Sequence, residues 1–410
     1  MLRDFKNFIH LLEAVLANVW YGFPSRKLTM VGVTGTDGKT TTTSMIYHIL
    51  KSDGKKVAMI TTLGAYIGDD VYDVGFHVTT PSSFAIQKYL KKAVDEGNSH
   101  VVLEVTSHAL DQNRPWGIHF ALAVLTNITH EHLDYHKTYT QYVHAKAKLL
   151  KNADRAICNA DDESFEHLSH QLNKKQIIPY GIQHKQATET LKNNPAKTTL
   201  LGSFNTYNAL AASVTCKYLG VTSKKIEKAL LSFTAPKGRQ DVVYDKLFTV
   251  MIDFAHTPNA FYQILPELKK KTKGRLIHVF GSASERDESK RPVMGKASSQ
   301  FADIIILTAE DPRKESIEKI CEEIKTGITG FSEYDKDLHD IERHERNVLV
   351  TIPDRKEAIF FALALAQKGD TVLLTGKSHE TSMNYGNGEE PWNEFEVVKE
   401  GLGKVQLDYN

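Results

Sequence analysis

The sequence predicts an α/β protein built as two successive blocks, each with a mostly parallel sheet. Short apolar, β-branched runs alternate with longer helical stretches, and loops that combine glycine with charged residues recur at the ends of those runs. The alternation then restarts after the turn-like segment SFTAPKGRQD. A chain of 410 residues exceeds what a single core fills, so two or three domains are expected.

Taken in order, FKNFIHLLEAVLANVW carries Phe5, Phe8, Ile9, Leu12, Leu16 and Val19 at helical spacing. An amphipathic helix packed on the body through that face is expected. His10, Glu13 and Asn18 interrupt the apolar run, which argues against a secretory signal. Acid beside base on the polar face argues against a membrane-surface role.

After YGFPSRK, the run LTMVGVTG reads as a buried strand and TTTSMIYHILKSDG as the helix that follows it. Further strands are expected at VAMITTL, HVVLEV, FALAVLTNI, RAICNA and QIIPYG. A boundary is placed near Pro236 to Arg239. Beyond it, FTVMIDFA, RLIHVFGSA, DIIILTAED, VLVTIP and TVLLTGK repeat the pattern, with KEAIFFALALAQKG among the intervening helices.

Composition excludes several classes. Lys+Arg 51 against Asp+Glu 50 leaves no general footprint for nucleic acid. The three cysteines, Cys158, Cys216 and Cys321, form no C-x-x-C pair, so neither a zinc site nor a disulfide framework is expected; reduced thiols of a cytoplasmic protein are. No membrane span is expected.

The chemistry concentrates in loops. VTGTDGKTTTT (33 to 43) stands between strand and helix, as a phosphate loop must, although Val33 replaces the usual first glycine. Gly35 and Gly38 let the backbone approach phosphate oxygens, Lys39 supplies positive charge, and Thr40 offers a hydroxyl to Mg²⁺. Thr36, Asp37 and Thr41 complete the candidate ATP-binding loop. Glu104, ending the apolar run VVLEV, stands where an acid beside such a loop would, although a strand-end carboxylate can equally solvate a turn.

LTNITHEHLDYH (125 to 136) gathers His130, His132, Asp134 and His136. Its oxygen-rich setting suits a hard metal with one imidazole better than zinc, and a polar histidine loop is the plainer alternative. In the second block GRQD, DFAHTPNA, GSASERDESKRP, AEDPRKES and TGKSHE all adjoin strands, where α/β proteins place ligand loops.

From about Tyr21 to Glu400 these segments, in order, resemble the Mur ligase superfamily, and within it the UDP-N-acetylmuramoyl-tripeptide synthetases. YGFPSRKL, GVTGTDGKTTT, TTPSS, LEVTSHALDQNR, TNITHEHLDYH, YVHAKAKLL, NADDE, GSFNTYNALAA, GRQDVV, DFAHTP, VFGSASERDESKRP, EDPR and GKSHE carry the likeness. It implies an N-terminal helix and linker over 1–28, a central P-loop ATPase domain with a mostly parallel sheet over 29–236, and a C-terminal Rossmann-like α/β domain over 237–410.

The same likeness implies a reaction: ATP phosphorylates a substrate carboxylate, and an amine attacks the acyl phosphate to form an amide. It implies Lys39 and Thr40 on the phosphates and a first Mg²⁺, Glu104 and His132 as metal ligands, and a carbamylated Lys146 holding a second Mg²⁺. Asn208 would lie near adenine, and Arg239, Asp253 and His256 near phosphate and ribose. The acceptor, a muramoyl peptide, would meet Thr79, Thr80, Thr106, Gln112 and Arg114. The incoming amino acid would meet Arg286, Asp311, Arg313, Gly376 and Glu380, and Arg313 after the proline is the pattern of the meso-diaminopimelate-adding enzymes.

The sequence departs from the family's pattern at Asp311, where asparagine is usual, and at Ser378, where a second glycine is usual. About thirty residues precede the loop, too few for a domain of ordinary size that would grip UDP. Three alternatives follow: an acceptor without UDP, a UDP group held by the central domain or a partner, or a different carboxylate. A folylpolyglutamate-type ligase and a noncatalytic ATP-binding module are the competing readings. A glutamine-dependent amidating relative would carry a cysteine-rich insert, which this chain lacks.

Overall fold

The computed structural model describes residues 2–75, 79–129, 136–174, 176–284, 287–335 and 345–408. The chain divides into two compact units, Met1–Thr234 and Ala235–Asn410. The first holds an eight-stranded sheet in the order β4-β3-β2-β5-β1-β6-β7-β8. Its strands are β1 (Thr29–Thr34), β2 (Val57–Thr61), β3 (Gly64–Ile67), β4 (Asp70–Tyr72), β5 (His100–Glu104), β6 (Phe120–Leu125), β7 (Ala153–Asn159) and β8 (Ile177–Tyr180). Pairing is parallel from β2 across to β8, while the hairpin β3–β4 joins β2 antiparallel.

Both faces of this sheet are covered, so its central strands are apolar throughout rather than alternating. In β1, Met30 packs with Leu103 and Phe120 in one core, whereas Val31 and Val33 pack with Met45, Ile46 and Leu210 in the other. β1 lies between β5 and β6, which puts the loop that follows it at the middle of the carboxyl edge.

The second unit holds a sheet in the order β13-β14-β12-β11-β15-β10-β9. Its strands are β9 (Asp241–Asp245), β10 (Thr249–Asp253), β11 (Leu276–Phe280), β12 (Ile304–Leu307), β13 (Ser332–Tyr334), β14 (Val348–Thr351) and β15 (Thr371–Thr375). Only the edge strand β9 runs antiparallel among these described pairs. A separate hairpin joins β16 (Ser382–Asn384) to β17 (Glu389–Pro391). The strand candidates named above all lie on strands; β3, β4, β9, β13, β16 and β17 went unread because edge strands and short hairpins are brief.

The N-terminal helix corrects one expectation. Leu2–Tyr21 is helical, but it meets the body through Ala14, Ala17 and Asn18, and the large apolar side chains point to solvent. Small residues allow a close approach: Asn18 donates to the Trp116 carbonyl at 2.8 Å, and Asn7 to Asp111 at 3.1 Å. No helix among the described residues is long and apolar enough to cross a membrane.

Candidate active site

At the carboxyl end of β1 the chain turns through Gly35–Gly38 into the helix Lys39–Ser52, whose first N–H groups face the loop. Gly38 caps that helix at φ +77°, and a Cβ there would come within 2.2 Å of Asn208 Oδ1. Only glycine satisfies both conditions. Asn208 is itself fixed, accepting from Thr42 Oγ1 at 3.2 Å and donating to Asn205 at 3.0 Å.

The loop is tied down from β6. The Asp37 N–H donates to Asn127 Oδ1 at 2.8 Å, Thr126 Oγ1 donates to the Asp37 carbonyl at 2.6 Å, and the Thr36 N–H donates to the Asn127 carbonyl at 2.9 Å. Asn159 at the end of β7 holds the Thr126 carbonyl in turn, at 2.9 Å. Thr126, Asn127 and Asn159 were not singled out in the sequence. They hold the loop from the side of β6 and β7.

Two lysines reach the loop's carbonyls. Lys39 Nζ donates to the Thr36 carbonyl at 2.7 Å, and Lys146 Nζ to that of Gly35 at 2.6 Å. Lys146 comes from the helix Tyr139–Lys151, is 1% exposed, and stands 4.5 Å from the centre of the Tyr142 ring. Tyr142 OH meets Thr36 Oγ1 at 3.1 Å. Thr41 is buried on the first turn of Lys39–Ser52.

Glu104 sits beside Val33 in the β1–β5 register. Its carboxylate is buried and accepts from Thr40 Oγ1 at 3.0 and 3.1 Å, with the Thr62 N–H and hydroxyl at 3.3 and 3.4 Å. A hydroxyl facing a buried carboxylate at a phosphate loop is a hard, oxygen-only donor set that fits Mg²⁺. His132, the second expected ligand, lies outside the described residues, as do His130 and Asp134. His136 is buried, with Nε2 3.0 Å from Ser107 Oγ and its ring against Tyr142.

Four expected acceptor residues meet next to Glu104. Thr80 Oγ1 lies 3.1 Å from the Glu104 carbonyl and accepts from the Thr106 N–H at 2.9 Å. Arg114 Nη1 donates to the Thr80 carbonyl at 2.6 Å, and its Nε to Gln112 at 2.9 Å. Thr106 also caps the helix Ser107–Asp111. Thr79 is half-buried, and no hydrogen bond joins it to this cluster among those described.

In the second unit the carboxyl edge gathers two groups. Asp253 accepts from the Gln240 and Ala255 N–H groups, each at 2.7 Å; burial pushes its carboxyl up, and the neighbouring Arg239 draws it back. Arg239 lies over Phe254, 4.3 Å from the ring centre. Burial lowers His256 to about 3, so its imidazole is neutral at pH 7, with Nδ1 2.8 Å from the Phe254 carbonyl.

The other group surrounds Lys377, which is fully buried. Its ammonium donates to both oxygens of Asp311 at 2.9 Å and pairs with Glu380 at 2.6 Å. Asp311, Arg313 and Ser378 all have positive φ, at +46°, +49° and +51°, a strain that surrounding contacts must hold. The Asn384 N–H donates to Asp311 at 3.0 Å, the Arg313 N–H to the Asn384 carbonyl at 2.9 Å, and Ser378 Oγ to the Gly238 carbonyl at 2.6 Å. A Cβ on Gly376 would strike Glu310 Oε2 at 2.2 Å. That oxygen is buried with no hydrogen-bond partner, and burial raises the Glu310 carboxyl to about 8.

Behind them the buried pair Arg355–Glu394, at 2.6 Å, ties the carbonyls of Ala309 and Thr375 at the ends of β12 and β15. Arg286 lies outside the described residues. Lys377, Glu310 and Arg355 were missed in the sequence, although the first two lie inside loops it had marked and Arg355 bonds the carbonyls of Ala309 and Thr375, which begin those loops.

The Mur ligase middle domain matches residues 33–216, and the Mur ligase, glutamate ligase domain matches 238–378. A UDP-N-acetylmuramoyl-L-alanyl-D-glutamate–2,6-diaminopimelate ligase of Aquifex aeolicus is 37% identical over 404 residues, covering 94% of this chain and 80% of that protein. A solved structure of an enzyme with that name aligns at TM-score 0.61 and 28% identity, over 93% of this chain and 79% of the other. A Mycobacterium tuberculosis folylpolyglutamate synthase complexed with ADP aligns at TM-score 0.67 but 16% identity, over 97% and 94%, a likeness of fold alone. The chain belongs to the Mur ligase family and is an ATP-dependent, ADP-forming amide ligase.

Proposed function

We infer that the chain couples meso-diaminopimelate, or a closely related diamino acid, to the free carboxylate of a muramoyl dipeptide in the cytoplasm, as a step in peptidoglycan assembly. The observation that carries this is the buried pairing of Thr40 with Glu104 at the foot of the loop, with Thr80 bonded to the Glu104 carbonyl and Thr106, Arg114 and Gln112 linked on from Thr80. A metal position and a carboxylate-binding cluster then share the end of β5.

Arg114 and the threonine hydroxyls orient the acceptor, whose carboxylate oxygen attacks the γ-phosphorus while ADP departs. Gly35–Gly38 and the start of Lys39–Ser52 cradle the phosphates, and Lys39 exchanges the Thr36 carbonyl for a phosphate oxygen. The amine nitrogen then attacks the acyl carbon, a proton leaves the nitrogen, and the C–O bond to phosphate breaks.

Thr40 and Glu104 would hold Mg²⁺, with His132 as the further ligand that the family likeness implies, and the ion would supply positive charge to the anionic oxygens that must approach each other. Carbamylation of Lys146, whose amine now donates to the Gly35 carbonyl, would give a carboxylate-like ligand for a second Mg²⁺. Asp311, Glu380, Gly376 and Arg313, together with Arg286, bind the diamino acid, with Arg313 on its distal carboxylate in a bidentate pair.

Phosphate release should require a muramoyl dipeptide and a diamino acid together. UDP-linked and UDP-free acceptors run in parallel, against diaminopimelate and lysine, read both specificities. Glutamate-dependent ADP release with a reduced folate, and none with any muramoyl acceptor, would sink this assignment. For Lys146, activity of Lys146→Ala should return on adding short carboxylates; no return at any concentration argues against carbamylation.

A further inference from the structure

The helix Leu2–Tyr21 turns seven large apolar side chains to solvent: Phe5, Phe8, Ile9, Leu12, Leu16, Val19 and Trp20. Their exposure runs from 47% at Leu12 to 79% at Trp20, on a helix otherwise fixed to its unit through Ala14, Ala17 and Asn18. Large apolar patches on a soluble surface mark places where something docks.

The pattern of the patch points to its occupant. Five of the seven, Phe5, Phe8, Leu12, Leu16 and Val19, are separated by 3, 4, 4 and 3 residues, a spacing that reads the same in both directions about Leu12, with Ile9 and Trp20 flanking it outside that symmetry. A two-fold axis pairs a surface with itself, residue i meeting j and j meeting i. Antiparallel pairing through Leu12 therefore sets Phe5 against Val19, Phe8 against Leu16, and Leu12 against its own counterpart.

Area and charge agree. Seven such groups at these exposures offer on the order of 700 Å² per chain, close to the roughly 800 Å² that each partner buries in a standard interface. Arg3 and Lys6 balance Asp4 and Glu13, which suits self-association; an anionic lipid surface would favour a basic polar face. The helix is already anchored, so pairing incurs no cost of helix nucleation. We propose that this face is the interface of a homodimer in which the two copies of Leu2–Tyr21 pack antiparallel about Leu12.

Sedimentation velocity on the full chain across micromolar concentrations should show a dimer. Leu12→Glu, which sets two carboxylates at the axis, should shift it to monomer while circular dichroism stays unchanged. Cys158, Cys216 and Cys321 are buried, so an introduced thiol reports cleanly. Leu12→Cys should cross-link under mild oxidation. Phe5→Cys alone should not, but Phe5→Cys with Val19→Cys should. A wild-type monomer at all concentrations, a dimer that survives Leu12→Glu, or cross-linking by Phe5→Cys alone would overturn the proposal. So would a monomer that pellets with phosphatidylglycerol vesicles.

Discussion

The two carboxyl edges hold their lysines differently. In the first unit Lys39 and Lys146 hydrogen-bond backbone carbonyls of the phosphate loop, neutral groups that leave Lys39 open to an incoming anion at small cost and Lys146 open to carbamylation on the reading above. In the second, Lys377 is committed to two carboxylates, Asp311 and Glu380, and Arg355 to Glu394. A phosphate site needs positive charge ready to use. The other site spends its lysine on shaping a loop, and leaves Glu310 buried beside it without a hydrogen bond at Oε2. Such a site suits a ligand that brings its own amines.

The largest effect expected from this contrast is at Lys39. Lys39→Ala removes a charge that pairs with no acid among the described residues, and ADP formation should fall at least ~10³-fold, about 4 kcal/mol of transition-state stabilisation. Amide formation within tenfold of wild type would break the distinction between displaceable and committed lysines.

Lys377 should behave in the opposite way, as a stability residue. Lys377→Met leaves Asp311 and Glu380 facing each other in a buried setting, and breaking such a pair by one partner costs about 3–5 kcal/mol. Urea unfolding should show the loss, with part of it recovered when Asp311→Asn is added. An unchanged midpoint would mean that Lys377 is as replaceable as a surface lysine.

Next in size is Glu310. Its folded-state value of about 8 lies above the ordinary 4.5, so the folded chain holds a proton that the unfolded chain releases. The carboxyl costs nothing where both states are protonated, below about pH 4.5, and its penalty grows as pH rises, levelling off above about 8. Glu310→Gln should therefore gain stability over wild type progressively between pH 5 and 9, by a few kcal/mol at the upper end. A difference that stays flat across that range would show that the carboxyl is not held neutral.

What could be read from the sequence follows the same division. The loop from Gly35 to Thr40 is legible because strand, glycines, lysine and hydroxyl must be contiguous to hold phosphate. Glu104 is legible only in part: the apolar run places it at the carboxyl end of β5, but a strand-end acid could equally have solvated a turn. Thr126 and Asn127 are not, since they act across some ninety residues of chain through ordinary strand-end chemistry. Lys377 sat inside a marked loop, yet nothing local distinguishes a buried lysine from a solvated one. In Leu2–Tyr21 periodicity found an apolar face correctly but could not say which side packs. The small face of Ala14 and Ala17 packs inward, because backbone proximity decided the contact there.

The smallest effect separates the two duties of Thr40. Its hydroxyl donates to Glu104 in the resting protein and, on the reading above, turns to Mg²⁺ during turnover. Thr40→Ser keeps that oxygen and should leave the magnesium dependence of ADP release close to wild type. Thr40→Ala should raise the magnesium concentration for half-maximal rate about tenfold, some 1.4 kcal/mol, because one donor is lost while Glu104 remains. An alanine variant that needed no additional magnesium would leave the hydroxyl only its hydrogen bond to Glu104. The first unit's edge would then hold a buried polar contact of the kind that Lys377 makes in the second, and the contrast between the two sites would narrow to Lys39 and Lys146.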